Sequence, residues 1–134
     1  MTEPTSLASW TRALRKQLDA LGLDSIALCQ QAGLDPNLMD DPNARYPLSG
    51  TTRLWEIAVQ VSGDPAIGLR VSRFVSPTTF HALGYALVAS GSLREVFERI
   101  VRYHQVVSDA LDLHLSRAED RYRFTLQVLS LIHI

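Results

Sequence analysis

The side chains best suited to metal or nucleophilic chemistry are the single cysteine, Cys29, and four histidines, His81, His104, His114 and His133. Zinc sites usually draw their ligands from histidines and cysteines that lie a few residues apart. No histidine here has such a neighbour, and the sequence holds neither a glycine-rich phosphate loop nor a nucleophile elbow. A lone cysteine within a predicted helix is usually a small buried hydrophobe. We therefore expect no catalytic residues, no metal site and no cofactor.

Four polar aromatic side chains are candidates for binding a small molecule: His81, Tyr85, Tyr103 and His104. His104 occupies an apolar-stripe position of a predicted helix, where a histidine either completes its hydrogen bonds in the core or faces a ligand cavity. His81 and Tyr85 lie one helical turn apart. They either pack as ordinary side chains or form a second polar group that faces a ligand. A few placed polar groups in a mostly apolar cavity are what orients a bound ligand.

Composition and charge describe a globular chain without an obvious polyanionic partner. The 134 residues are enough for one domain with one core, and the 46% hydrophobic and 20% charged fractions are typical of globular proteins. Thirteen basic residues face fourteen acidic ones, for a formal net charge of -1, whereas nucleic-acid-binding domains usually carry a basic surplus. No membrane-spanning run and no secretory signal are present. We expect a cytoplasmic protein with no membrane partner.

The hydrophobic spacing predicts a mainly helical α+β fold. Start and stop signals delimit about five to six helices. They are predicted over residues 7–21, 24–32, 51–62, 64–71, 80–89 and 92–109. Residues 1–5 are predicted to be a loose leader, and the proline-rich residues 35–50 an ordered connector with one short turn. Four side chains of the first helix fall off its apolar stripe and are expected to face water: Arg12, Arg15, Lys16 and Asp19.

The last three predicted elements have distinct patterns. Residues 80–89 hold no formally charged side chain unless His81 is protonated, so this helix is expected to be buried on most sides or to lie in an interface. Ser92 and Glu95 form a capping-box pattern at the start of the next helix. Residues 111–128 alternate between apolar and polar side chains, which predicts a C-terminal antiparallel β-hairpin with one buried face. A lone hairpin is an incomplete sheet.

One segment is similar to the first helix and turn of a helix-turn-helix motif. This segment is Ala27–Leu34, with the sequence ALCQQAGL. A recognition helix with basic or amide side chains should follow it. Residues 35–42 instead contain two prolines, which break a helix, and aspartates, which repel phosphates. We therefore expect no DNA contact by this element.

From residue 63 to residue 109 the order and spacing of several short motifs are together fairly specific. The motifs are Gly63–Arg70 (GDPAIGLR), Leu83–Leu87 (LGYAL), Ser92–Glu95 (SLRE), Arg102–His104 (RYH) and Ser108–Asp109 (SD). In these motifs the chain resembles the arabinose-binding-type N-terminal effector domain of AraC/XylS-family bacterial transcription regulators. Ala32–Leu34 and the connector also fit, so the resemblance extends up to Val128.

The resemblance implies a modular regulator. Its N-terminal domain senses a small molecule and often dimerises, and its C-terminal pair of helix-turn-helix motifs binds DNA. Residues 1–128 are then a truncated effector-sensing domain, and residues 129–134, which do not resemble the family, are a candidate non-native tail. The implied partners are an effector of unidentified structure, a second copy in a homodimer, and DNA only through a C-terminal domain absent from this chain.

Two alternatives stay open from the sequence. The first is a helical dimerisation or protein-interaction module that binds no ligand and uses the charge-free segment 80–89 as its interface. The second, with much less support, is an enzyme or haem-binding domain that uses His81 or His104. Thermal stabilisation by a small molecule separates a sensor from the first alternative, because a ligand that binds only the native state must stabilise it. A visible absorption spectrum tests for haem.

Overall fold

A computed structural model describes residues 3–128 of the chain. Within that range the α-helices are Ala8–Ala20 (α1), Ser25–Gln31 (α2), Leu48–Ser62 (α3), Ile67–Val71 (α4), Ala82–Val88 (α5) and Leu93–Tyr103 (α6). The strands are Thr5–Leu7 (β1), Arg45–Pro47 (β2), Leu111–Ala118 (β3) and Arg121–Val128 (β4). Short 3-10 helices cover Pro36–Asp40, Ser72–Phe74, Pro77–Phe80 and His104–Val106. The predicted mainly helical α+β class with a C-terminal hairpin is confirmed.

Local signals fix several helix ends where the sequence places them. Asp24 caps α2, since its carboxylate accepts a hydrogen bond of 3.1 Å from the backbone N–H of Ala27. Gly63 closes α3 in the left-handed conformation, at φ 67°, which glycine adopts without steric cost. The helix α3 begins at Leu48, three residues before the predicted start, because Pro47 fits the extended position just before the first turn.

The hydrophobic core lies around α1. Leu14 and Leu18 are almost completely buried, and they pack with side chains from α2, α3, α4 and the connector. The larger members of this cluster are Leu14, Leu18, Leu34, Met39, Tyr46, Leu54, Ile57, Ile67 and Val71. Each buried side chain of this size contributes about 1.5–3 kcal/mol through removal of apolar surface from water. The core therefore holds α1 rigidly, and α1 supplies one wall of the candidate site. No helix within residues 3–128 has the length and apolarity to cross a membrane.

The predicted loose leader is partly wrong, since Thr5 begins strand β1. This strand pairs antiparallel with β2, with Thr5 opposite Pro47 and Leu7 opposite Arg45. The Arg45 Nε donates a hydrogen bond of 2.7 Å to the Thr5 hydroxyl, and its Nη1 donates one of 2.8 Å to the Val106 carbonyl. Strands of three residues are too short to show a period, so sequence alternation could not reveal them. Together β1 and β2 join the start of the described chain to the connector.

The predicted helix 80–89 is interrupted at its beginning. Residues Pro77–Phe80 form a 3-10 turn, His81 takes a positive φ of 53°, and α5 starts only at Ala82. Gly84 packs so closely on this turn that a Cβ there would overlap the carbonyl oxygen of Pro77. Of the two alternatives predicted for this helix, burial on most sides is wrong, because Tyr85 and Val88 are 60% and 69% exposed. Its location in an interface stays a prediction.

The sixth helix ends earlier than predicted, and its cap is modified. The backbone N–H of Glu95 donates to the Ser92 hydroxyl at 3.2 Å, as the capping box requires. The Glu95 carboxylate, however, accepts from the backbone N–H of Gly91 at 2.7 Å, one residue before the cap. A 3-10 turn, His104–Val106, replaces the predicted last turns.

The hairpin forms over the predicted residues, 111–128, but it is buried on one strand only. Leu113 lies opposite Leu126, and the two-residue turn is at 119–120. Leu113 is 5% exposed, whereas every residue of β4 is exposed and Leu126 is 54% exposed. The fully buried face predicted for the hairpin is therefore wrong: α6 covers β3 but reaches β4 mainly through Phe97, whose ring centroid is 4.9 Å from that of Phe124. The prediction for residues 129–134 lies outside the described residues.

Candidate functional site

A cavity of about 340 Å³ lies between α1, the connector and the segment that leads into α5. We call it the α1 cavity. It is lined by Ser9, Arg12, Ala13, Lys16, Asp40, Pro42, Phe74, Ser76, Thr78, Thr79, His81 and Tyr85. Its volume is at the lower end of the range usual for small-molecule sites. Two of the four residues predicted from the sequence, His81 and Tyr85, meet here.

The α1 wall carries the positive charge of the cavity. Arg12 and Lys16 are one helical turn apart, so their side chains project from the same face of α1. Arg12 does not face water as predicted: it is partly buried, and its Nη2 donates a hydrogen bond to the Met39 carbonyl. Its Nε is buried and has no acceptor among residues 3–128. The connector thus holds the guanidinium in place at the cavity wall.

The opposite wall is a short polar turn that ends at His81. Ser9 donates its hydroxyl proton to the Thr79 carbonyl at 2.7 Å and lies 3.4 Å from the Nε2 of His81. These contacts tie α1 to the turn across the cavity. The left-handed backbone at His81 is unusual for a residue other than glycine and costs on the order of 1–3 kcal/mol. Strain of this kind is often found where a binding site needs a side chain in one position.

Hydroxyl groups and one carboxylate complete the polar surface. The Ser76 and Thr78 hydroxyls are 2.8 Å apart, and the backbone N–H of Ser76 donates to the Thr79 hydroxyl at 3.0 Å. Asp40 supplies the only carboxylate among the residues that line the cavity. Such a surface can hold a ligand through hydrogen bonds and charge. The Ser9 hydroxyl lies near the His81 imidazole, but it donates its proton to the Thr79 carbonyl and not to His81.

The other two predicted site residues lie elsewhere. Tyr103 lines a separate cleft of about 430 Å³ between α5 and α6, whose walls include Leu83, Ala86 and Arg99. His104 lies at the end of α6, where its two ring nitrogens are 2.9 Å from the Val101 carbonyl and 3.1 Å from the Leu111 carbonyl. It joins the end of α6 to the start of β3. The structure therefore does not bring the four candidates into one site.

Sequence reasoning missed most of the residues that line the α1 cavity. Ser9, Arg12 and Lys16 recur at steps of three and four, which is a detectable polar stripe on α1. That stripe alone is typical of a solvated face. Only the packing of the 72–81 segment against α1 turns it into a wall, and no local pattern predicts this contact.

Residues 3–128 contain neither a metal-binding cluster nor an accessible thiol. Residues 3–128 contain no group of three or more histidine, cysteine, aspartate or glutamate side chains arranged to hold a metal ion. Cys29 is fully buried, and this burial raises the pKa of its thiol. A protonated, inaccessible thiol is a poor nucleophile, in agreement with the expected role of Cys29 as a small core residue.

Comparison with known proteins gives the class and the family. The family described as the arabinose-binding N-terminal domain of AraC transcription regulators matches residues 22–133. This chain therefore belongs to that family, and the resemblance noted in the sequence is confirmed. The match begins after α1, so Arg12 and Lys16 lie before the matched residues.

The relatives are transcription regulators. An ornithine utilization regulator of Pseudomonas aeruginosa is 27% identical over 107 residues, which are 80% of this chain and 32% of the relative. Two uncharacterized HTH-type transcriptional regulators, one of Mycobacterium tuberculosis and one of Mycobacterium bovis, are each 25% identical over 111 residues, or 82% of this chain and 32% of the relative. The chain thus spans about a third of the length of these curated relatives.

Proposed function

We propose that this chain is the small-molecule-sensing domain of a bacterial transcription regulator and that the effector binds in the α1 cavity. The observation that carries the proposal is the meeting of His81, Tyr85 and the α1 charges around one cavity of about 340 Å³. Membership of the AraC N-terminal family supports it. On this proposal residues 1–128 form the sensing domain, the chain is not an enzyme, and the regulator works in the cytoplasm.

The DNA-binding step belongs to another part of the regulator in this proposal. The relatives are about two and a half times as long as this chain, since the 107 matched residues make up only 32% of the first of them, and two of them are HTH-type regulators by name. A helix-turn-helix module outside residues 1–134 would bind DNA, and the sensing domain would control it as a homodimer. His81 and Tyr85 contact the effector. Tyr103 remains a prediction as a ligand contact at the cleft between α5 and α6, and His104 remains one where the end of α6 meets β3.

The name of the Pseudomonas relative provides the first compound to test. Ornithine is an amino acid, and the α1 cavity offers both cationic and anionic groups that an amino acid can pair with. We propose a thermal-shift screen of the chain against ornithine, other amino acids and simple sugars. A ligand that binds only the folded state at about 100 times its Kd stabilises it by about 2.7 kcal/mol, which shifts Tm by several degrees.

Paired variants on α5 locate any ligand found. Tyr85 lines the cavity and Val88 does not, yet both side chains are largely exposed, so neither substitution should unfold the domain. Tyr85→Ala should reduce the ligand-induced Tm shift, and Val88→Ala should leave it unchanged. Equal shifts in both variants would place the ligand elsewhere.

A ligand-free dimerisation module is the second candidate function. Large apolar side chains of α5, α6 and the turn after α6 are exposed, which is typical of a surface that another protein covers. They are Tyr85, Val88, Leu93, Tyr103 and Val106. If no compound shifts Tm while light scattering shows a dimer that Val88→Ala and Leu93→Ala disrupt, this candidate replaces the sensor.

A further inference from the structure

The cationic groups of the α1 cavity have no charged partner in the described part of the chain. Some other arginines of this protein are paired: Arg70 lies 2.9 Å from Asp64, and Arg94 lies 2.8 Å from Glu98. Within residues 3–128 no ion pair involves Arg12 or Lys16. A partly buried guanidinium is costly unless acceptors satisfy it, so the cavity retains an unused capacity to bind an anion.

The side chain of Arg12 is held ready for such a contact. Its hydrogen bond to the Met39 carbonyl restrains the guanidinium, so little rotamer entropy remains to be lost on binding. Lys16, one turn away on α1, adds a second cation at the same wall. The hydroxyls of Ser76 and Thr78 add neutral donors on the opposite wall. Charge-assisted hydrogen bonds from such groups are the strong ones.

The balance of charge sets the kind of anion. Two cations, Arg12 and Lys16, and one carboxylate, Asp40, line the cavity. The sum of these three groups is one positive charge, which matches a single negative charge. A phosphate group carries more negative charge than a carboxylate, so it exceeds this sum and Asp40 repels it more strongly. The remaining walls include Ala13, a proline and an aromatic ring, which suit an apolar body rather than a second anion.

We infer that the α1 cavity binds an organic monocarboxylate, with the carboxylate between Arg12 and Lys16 and an apolar body against Ala13, Pro42 and Phe74. This inference rests on the proposed function and specifies the chemical class of the effector. It assigns a role to α1, a helix that lies before the residues matched by the family.

A spectroscopic test follows from the sequence, in which Lys16 is the single lysine. Reductive ¹³C-methylation of the whole chain labels only Lys16 and the N-terminal amine, so the Lys16 methyl resonance reports directly on the cavity. The probes are sodium hexanoate and sodium benzoate, and their matched neutral controls are hexanamide and benzamide. Sodium chloride at equal ionic strength controls for salt, which screens exposed charges.

The inference predicts a saturable shift of the Lys16 resonance with at least one of the two carboxylates. The matching amide should bind at least about tenfold more weakly, because it lacks the charge-assisted hydrogen bonds. Arg12→Gln should weaken carboxylate binding by a similar factor, whereas Arg121→Gln, at a highly exposed arginine of the hairpin, should not. Unlabelled Lys16→Gln should lose the carboxylate-dependent rise in Tm, and it should fold because Lys16 is exposed.

Other outcomes overturn the inference in distinguishable ways. If neither carboxylate gives a saturable shift, or if the amides bind as tightly, the carboxylate class is wrong. The carboxylate inference can fail while the sensor proposal stands. This is the result if the amides or the compounds of the thermal-shift screen bind and Tyr85→Ala weakens that binding. If none of these compounds binds at all, both proposals fail.

Discussion

His81 combines two properties that sequence analysis could not connect. Its residue type and its spacing from Tyr85 make it a candidate ligand residue, and the structure places both side chains at the α1 cavity. Its positive φ, however, depends on how the 3-10 turn meets α5 and leaves no trace in the sequence. The backbone strain and the side-chain position therefore have to be tested separately.

A pair of substitutions at His81 separates strain from side-chain contacts. Both His81→Ala and His81→Gly remove the imidazole, but only alanine keeps the unfavourable positive φ. We expect His81→Gly to be more stable than His81→Ala by about 1 kcal/mol in urea unfolding, although glycine usually costs stability. At Ala82, the first residue of α5, glycine should be less stable than alanine, as is usual in a helix. Ala82→Gly should therefore lower the free energy of unfolding by about 1 kcal/mol. If His81→Ala and His81→Gly are equally stable, the backbone at position 81 is unstrained.

Tyr46 gives the fold a pH dependence at the alkaline end. Its hydroxyl donates a hydrogen bond to the Asp35 carbonyl inside the core, and burial, followed by nearby Cys29 and Asp35, raises the pKa of Tyr46 to about 12. An unfolded tyrosine has a pKa of about 10. Between these values the unfolded state loses the proton and the folded state keeps it, so stability should fall as pH rises from about 10 to about 12.

The measurement is the urea midpoint as a function of pH. A two-unit difference in pKa corresponds to a loss of about 2–3 kcal/mol across this window. The pKa of Cys29 is also raised by burial, so the comparison belongs in a Cys29→Ala background. Adding Tyr46→Phe there should lower stability near neutral pH by about 1 kcal/mol and flatten the alkaline decline. An unchanged decline in that variant would assign it to other groups.

At the scale of elements, the sequence predicted what depends on neighbouring residues and missed what depends on distant ones. The start of α2 after Asp24 and the end of α3 before Gly63 could be predicted, because each signal acts within one turn. The β1–β2 pair could not, since its strands have three residues each and lie about forty residues apart. The exposed face of β4 was also missed, because alternation shows which face is apolar but not what covers it.

Gly84 tests how α5 is held against the 3-10 turn that forms the cavity wall. A Cβ there would overlap the Pro77 carbonyl, and backbone cannot move aside as a flexible side chain can. We expect Gly84→Ala to lower stability by about 1–3 kcal/mol and to weaken effector binding. Gly91→Ala is the matched control, because its Cβ would lie at an ordinary 3.5 Å from the Glu95 carboxylate. Thermal unfolding measures both, and equal effects would contradict the close packing.

The hairpin predicts self-association of the chain. Among residues 3–128, β4 pairs only with β3, so its outer edge and its apolar face are open. Open edges and apolar faces favour contact with another copy. Light scattering should show concentration-dependent dimers that Leu126→Lys disrupts and Gln127→Lys, on the opposite face, disrupts less. A chain that stays monomeric at high concentration would show that the hairpin is sufficient by itself.

At the scale of the whole molecule, charge argues against DNA binding by these residues. The formal net charge is -1, and the helix-turn-helix-like segment is followed by a 3-10 turn at Pro36–Asp40 rather than by a recognition helix. We expect no sequence-dependent gel shift with the regulator's own promoter at moderate salt. Sub-micromolar, sequence-dependent binding by these 134 residues would contradict this expectation.

The family and fold class followed from motif order and hydrophobic period, but the site did not. The α1 cavity needs α1, the connector and the 72–85 segment to meet, and these are separated by tens of residues. Only His81 and Tyr85 could be selected beforehand, from residue type and spacing. Arg12, Lys16 and Asp40 had the ordinary appearance of a solvated surface.

The central claim is that the effector of the full regulator occupies the α1 cavity. The most direct measurement is effector-dependent transcription from the regulator's promoter with the cavity filled by Thr78→Trp. Thr78 is exposed and lines the cavity, and Thr52→Trp, at an exposed position of α3 outside it, is the matched control. We expect Thr78→Trp to lose the response to effector while promoter binding and protein level are retained, and Thr52→Trp to respond normally. A normal response in a stable Thr78→Trp regulator would contradict binding of the effector in the α1 cavity.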